Sequence, residues 1–136
     1  MPCHDCLNRR EFIALAAGGA AMATLAGCGD GDIGAPLPAH LEITVSDFPG
    51  LATVGQLVKV GTLHAAKRIG TSTFEAYSMV CTHAGCTTSI VSQQFACPCH
   101  GSVFANDGSV VQGPASKSLP KLTASYNPGT DTLTIN

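Results

Sequence analysis

Cys81-Thr82-His83-Ala84-Gly85-Cys86 and, after a short polar interval, Cys97-Pro98-Cys99-His100-Gly101-Ser102 form the stretch that decides the reading of this chain. Each box offers one cysteine and one histidine at tight spacing, and each holds one further cysteine. Thiolate and imidazole are the donors that soft and borderline metal centres take. A Cys2His2 zinc site is one reading, but zinc motifs usually keep the cysteines in one pair, C-x(2–4)-C, and the histidines in another, H-x(3–5)-H. Here both boxes mix the two residue types. Plain structural disulfides with bystander histidines are the other bland reading.

Both boxes resemble, almost letter for letter, the paired motifs C-T-H-x-G-C and C-P-C-H-G-S of the Rieske iron–sulfur family. That resemblance implies one [2Fe–2S] cluster, with Cys81 and Cys97 on the inner iron and His83 and His100 on the outer one. Formal charge shows what the exchange of ligands achieves. Two ferric irons, two sulfides and two thiolates sum to zero, whereas an all-cysteine cluster is two units more negative. Adding an electron is therefore easier, and such centres work at roughly −150 to +300 mV. Each imidazole also has a second nitrogen that can hold a proton, so electron and proton uptake can be coupled.

The resemblance extends to the remaining cysteines. Cys86 and Cys99 match the pair that ties the two loops by a disulfide in the high-potential branch, a bond that persists outside the reducing cytosol. Ser102 matches a serine whose hydroxyl bonds a bridging sulfide. The position two beyond it often carries a tyrosine, which donates to a ligand sulfur. Phe104 stands there and has no proton to donate, which implies a potential below that of tyrosine-bearing relatives. Gly113-Pro114-Ala115 through Leu119-Pro120 resembles the segment that covers the cluster on a third side. Gly85 and Gly101 are expected in tight turns with amides aimed at sulfur. Ala84 replaces a bulky leucine with which many quinol-oxidising relatives meet their membrane partner.

The chain has 136 residues, a net charge of −2, only 12% charged residues and no tryptophan. Nothing in that balance suggests nucleic acid as a partner. The length fits one modest domain after a leader. Asn8-Arg9-Arg10-Glu11-Phe12-Ile13 resembles a twin-arginine export signal, and the Ala-rich run to Gly27 is short for a spanning helix. Leu25-Ala26-Gly27-Cys28 resembles a lipobox, with Cys28 as the lipidated residue. Residues 1–28 are thus expected to be a twin-arginine signal with lipobox, the alternatives being an uncleaved anchor or plain cleavage. Cys3 and Cys6 fall inside it. Residues 29–40, rich in Gly, Asp and Pro, read as a flexible linker.

Residues 41–136 are then the Rieske domain, an all-β antiparallel sandwich with a small cluster-binding subdomain. Alternation predicts strands over 41–45, 56–60, 63–69, 73–80, 88–91, 94–96, 122–126 and 132–135, with turns at 70–72, 106–108 and 127–130. Lys67 and Arg68 read as a solvated strand face, and His40 and His64 as surface residues. Thirteen residues separate His83 from Cys97, which predicts a trimmed subdomain.

The expected role is one-electron transfer by a membrane-tethered subunit on the outer side of a bacterial membrane. It would not be catalytic alone. Its redox partners would be cytochrome b- or c-type proteins, with quinol, as in a quinol–cytochrome c reductase. The alternatives are the small subunit of a periplasmic oxidoreductase of the arsenite-oxidase kind, or a ferredoxin for an oxygenase.

Overall fold

The computed structural model describes residues 39–136. The expected export signal, Cys28 and nearly all of the 29–40 linker lie outside the described residues. Three antiparallel sheets make the fold. Strands β1 (Leu41–Thr44), β10 (Ala124–Asn127) and β11 (Thr132–Ile135) form an outer sheet in the order β1-β11-β10. Strands β2 (Leu57–Lys59), β3 (His64–Arg68), β4 (Phe74–Ser78) and β9 (Lys121–Leu122) form a second sheet in that order. Strands β5 (Ser89–Val91), β6 (Gln94–Ala96), β7 (Val103–Phe104) and β8 (Val110–Gln112) form the third.

The second sheet is the middle layer. In strands, neighbouring residues point to opposite faces. Val58, Ala66, Phe74, Ala76 and Leu122 face the outer sheet and meet Leu133, Ile135, Leu41 and Ile43 in one core. Leu57, Ala65 and Tyr77 face the other way and join Phe95, Phe104, Met79, Cys81 and Cys97 in a second core. Each fully buried Leu, Ile or Phe contributes about 1.5–3 kcal/mol relative to exposure. Sheets covered on both faces lose the in–out alternation, and β3 and β4 are accordingly buried along almost their whole length. Alanines at 65, 66 and 76, none of them exposed, let both layers approach.

That double coverage corrects the expectation for Lys67 and Arg68. Lys67 points to the cluster side and is buried. Its ammonium lies 3.2 Å from Glu75 Oε2 and donates to the Asn106 carbonyl at 3.0 Å. Arg68 points to the outer sheet, stacking over Phe74 at 4.5 Å and near Tyr126 at 5.8 Å, and its Nε donates to the Leu51 carbonyl at 2.8 Å. His64 is also buried, not superficial, with Nε2 2.8 Å from the Ala39 carbonyl. His40 is exposed, as expected.

Two further differences have physical causes. The expected strand 122–126 belongs to two sheets, β9 in the middle layer and β10 in the outer one. Thr123 makes the crossing, exchanging both backbone hydrogen bonds with Asn136. Leu122, Ala124 and Tyr126 all face the core between those layers, so their alternation survives a change of sheet. Short 3-10 turns at Val45–Asp47 and Pro49–Ala52 and the two strands β7 and β8 lacked any periodic run long enough to announce them.

Candidate metal centre

The two boxes occupy two hairpin tips. Past β4, the Met79 carbonyl accepts the Thr88 amide at 2.7 Å and Val80 bridges Thr87, so Cys81–Cys86 is the loop of a hairpin. The second loop, Cys97–Ser102, closes β6 onto β7 directly after the Ala96–Val103 pair. Within each loop the backbone follows one plan. The amide of the first residue donates to the carbonyl of the sixth, Cys81 to Cys86 at 2.8 Å and Cys97 to Ser102 at 2.8 Å. The amide of the fifth returns to the carbonyl of the first, Gly85 to Cys81 at 2.9 Å and Gly101 to Cys97 at 3.1 Å. The fifth residue has φ +74° in one loop and +77° in the other, where a Cβ would be strained. Glycine is therefore favoured, although its own amide closes the loop on a carbonyl.

This plan sends the donors to two depths. Cys81 and Cys97 carry free thiols and are 1% and 4% exposed. His83 and His100 stand exposed at the tip, ring centroids 4.9 Å apart and planes at 85°. Cys86 and Cys99 are joined as a disulfide between the loops. The sulfurs of Cys86, Cys97 and Cys99 all lie within 4.8 Å of one another. Two of these three are bonded together and so unavailable as thiolates, which leaves Cys97 with Cys81 as the free pair among the described residues. Burial pushes the Cys81 thiol up from its ordinary value, neighbouring Cys97 adds to this, and the His83 amide and Ser102 hydroxyl oppose it. Two buried thiols side by side fit a cation that would draw off their protons.

The segment 113–120 straps both loops from one side. Its Ala115 amide donates to Ser102 Oγ at 3.0 Å, and Thr82 Oγ1 donates to the Lys117 carbonyl at 2.5 Å. From β8, Gln112 Nε2 donates to the Gly101 carbonyl at 3.0 Å. The Ser102 hydroxyl is completely buried, and in accepting the Ala115 amide it keeps its own proton free to donate. Phe104 is completely buried in the same core as Cys81, Cys97, Tyr77 and Phe95. Thr82 and Gln112 are latches that motif reading passed over. Their partners are main-chain carbonyls far along the sequence, for which no spacing rule exists.

A family profile described as the Rieske [2Fe-2S] domain matches residues 48–123. The chain belongs to that family. Among Rieske relatives, the cytochrome b6-f complex iron-sulfur subunit 2 of Trichormus variabilis is 39% identical over 89 residues, 64% of this chain and 49% of that one. An iron-sulfur subunit 1 of the chloroplast cytochrome b6-f complex of Nicotiana tabacum is 34% identical over 113 residues, 76% of this chain and 50% of that protein. The cytochrome bc1 complex Rieske iron-sulfur subunit of Streptomyces lividans is 46% identical over 57 residues, 38% of this chain and 34% of its own length. The chain thus spans half or less of these curated relatives. A solved plasma-membrane Rieske protein of Synechocystis PCC 6803 is similar with a TM-score of 0.47 and 27% identity, over 59% of this chain and 83% of that one.

As a member of that family the chain carries one Rieske-type [2Fe–2S] cluster. The donor set fits such a centre: two buried free thiols, two imidazoles side by side at the surface, and a buried hydroxyl at the end of the second loop. The all-β antiparallel architecture implied by the two boxes is the one observed.

Proposed function

We propose that Cys81 and Cys97 hold the inner iron and His83 and His100 the outer one, in an exported, membrane-tethered electron carrier serving a quinol–cytochrome c reductase-like complex. The observation that carries this reading is the depth of the four donors. The thiols are buried while both imidazoles face outward, so a partner meets the imidazole end first. When bound, the cluster supplies reversible one-electron transfer at a potential raised by its imidazole ligands. The far nitrogen of each exposed ring can carry the proton that accompanies the electron. Ser102 directs its hydroxyl at sulfur, and the 113–120 strap keeps water from that side.

The stretch Ala76–Asn106 contains no Asp, Glu, Lys or Arg. With Lys117 of the adjoining strap as the one formal charge beside it, such a tip suits a partner whose receiving surface is also weakly charged, as on a protein embedded in lipid. The disulfide argues for an oxidising compartment and against a cytosolic ferredoxin. Residues 1–28 would supply export and, through Cys28, a lipid tether, with 29–40 as its linker and 41–136 as the Rieske domain. Ala84, exposed and small, favours as second reading the small subunit of a periplasmic oxidoreductase of the arsenite-oxidase kind. Among the described residues no helix is long and apolar enough to cross a membrane.

Fractionation of cells expressing the full chain tests the tether. The wild-type protein is expected in the membrane fraction and Cys28→Ala in the soluble periplasmic one; equal membrane retention would rule lipidation out. Quinol-dependent reduction of the protein in those membranes separates the two partner readings. In a redox titration Phe104→Tyr is expected to raise the potential, and an unchanged or lowered value would refute donation from that position.

A further inference from the structure

The arrangement of sulfurs at the loop junction has a chemical consequence beyond ligation. Cys97 carries a free thiol within 4.8 Å of both sulfurs of the Cys86–Cys99 disulfide. A thiolate that close to a disulfide is positioned for exchange. We propose that loss of the cluster turns this junction into an intramolecular thiol–disulfide exchange site, in which Cys97 attacks Cys86 and expels Cys99.

The step balances without an added oxidant. A Cys97–Cys86 bond forms, the Cys86–Cys99 bond breaks, and its electron pair leaves on Cys99 Sγ. The proton given up by Cys97 ends on Cys99.

Burial selects the direction. Cys99 is exposed and Cys86 half-buried, so water stabilises a leaving thiolate better at Cys99. Attack on Cys86 also keeps a covalent tie between the two loops. Attack on Cys99 would instead close a ring across Pro98 alone and untie them. The product retains the same number of disulfides but withdraws Cys97 from the ligand pair. Iron bound to Cys97 therefore acts as a protecting group for the disulfide pattern, a role resting on the ligand assignment proposed above. A metal-free molecule would drift into an isomer that can take up iron at Cys97 again only after Cys99 attacks back on Cys86 and releases it.

The experiment starts from purified full-length holoprotein, whose reduced EPR spectrum independently checks the cluster reading. Iron is removed anaerobically with a chelator, samples are alkylated at intervals with N-ethylmaleimide, and disulfides are mapped by mass spectrometry without reduction. The expected result is a shift of label from Cys97 to Cys99, together with a Cys86–Cys97 cross-linked peptide. The isomer should form at a rate independent of protein concentration. In Cys97→Ala the original disulfide should persist and Cys99 should remain unlabelled. Persistence of Cys86–Cys99 with Cys81 and Cys97 both labelled would overturn the proposal. So would a mixture containing Cys81-linked isomers, which signals scrambling of an unfolded chain.

Discussion

The loop at Cys81–Cys86 and the loop at Cys97–Ser102 share a backbone and differ in what they hang on it. Both begin with a buried thiol and both turn on a glycine at the fifth position. The first then places histidine third and its disulfide cysteine sixth; the second places its disulfide cysteine third, histidine fourth and a buried serine sixth. Their mountings differ as well. The first loop grows out of β4, a strand of the middle sheet whose Glu75 is locked by two lysines. The second caps a hairpin held by apolar packing of Phe95 and Phe104. The comparison teaches that the frame fixes depth, thiol inside and turn outside, whereas the side chains that distinguish the loops sit at the other positions.

The largest effect should come from the positions that differ. His83→Ala and His100→Ala are both expected to abolish the visible and EPR signatures of the cluster, despite the shift of one place between them. Retention of the spectrum in either variant would break the equivalence of the two loops as ligand carriers.

The mounting of the first loop gives the next effect. The Lys121 hydrogen bond most of all, then Tyr77 and Lys67, hold the Glu75 carboxyl down to about 2 from 4.5 against the opposing cost of burial. A depressed carboxyl stabilises the fold fully above its unfolded pKa and loses that contribution as pH falls from 4.5 toward 2. Glu75→Gln should therefore destabilise by about 1–3 kcal/mol near neutrality, allowing for solvent screening at exposed Lys121. Urea unfolding should show the gap to wild type closing below pH 4.5. A gap that stays constant into acid would assign the effect to packing.

The smallest effect tests the shared frame. No atom lies within 4 Å of a Cβ built on Gly85, and on Gly101 only Gln112 Nε2, at 4.0 Å. Backbone strain alone then sets the cost of alanine, about 1 kcal/mol at each site. Equal losses in chemical unfolding of Gly85→Ala and Gly101→Ala sharpen the comparison, and clearly unequal ones break it.

Much of this site was legible because its chemistry is local. Each box occupies six consecutive positions and contains its own turn glycine and its own half of the disulfide. Strands with one wet face, such as 132–135, were legible through alternation. Lys67 and His64 were misread because a sequence carries no mark that a strand is covered on both sides. The charge of Lys67 is tolerated only because Glu75 stands directly opposite it in β4 and the turn between β7 and β8 brings in the Asn106 carbonyl. Thr82 and Gln112 escaped for the same reason: their roles exist only once segments distant in sequence have met.

The middle sheet is a party wall between two rooms. A methylene added at Ala65 presses on the redox side, and one added at Ala66 presses on the structural side, each at about 1–3 kcal/mol. Because neighbouring positions answer to different rooms, the wall lets either side be remodelled by substitution without redecorating the other. Its thickness, set by alanine, is the dimension both must accept.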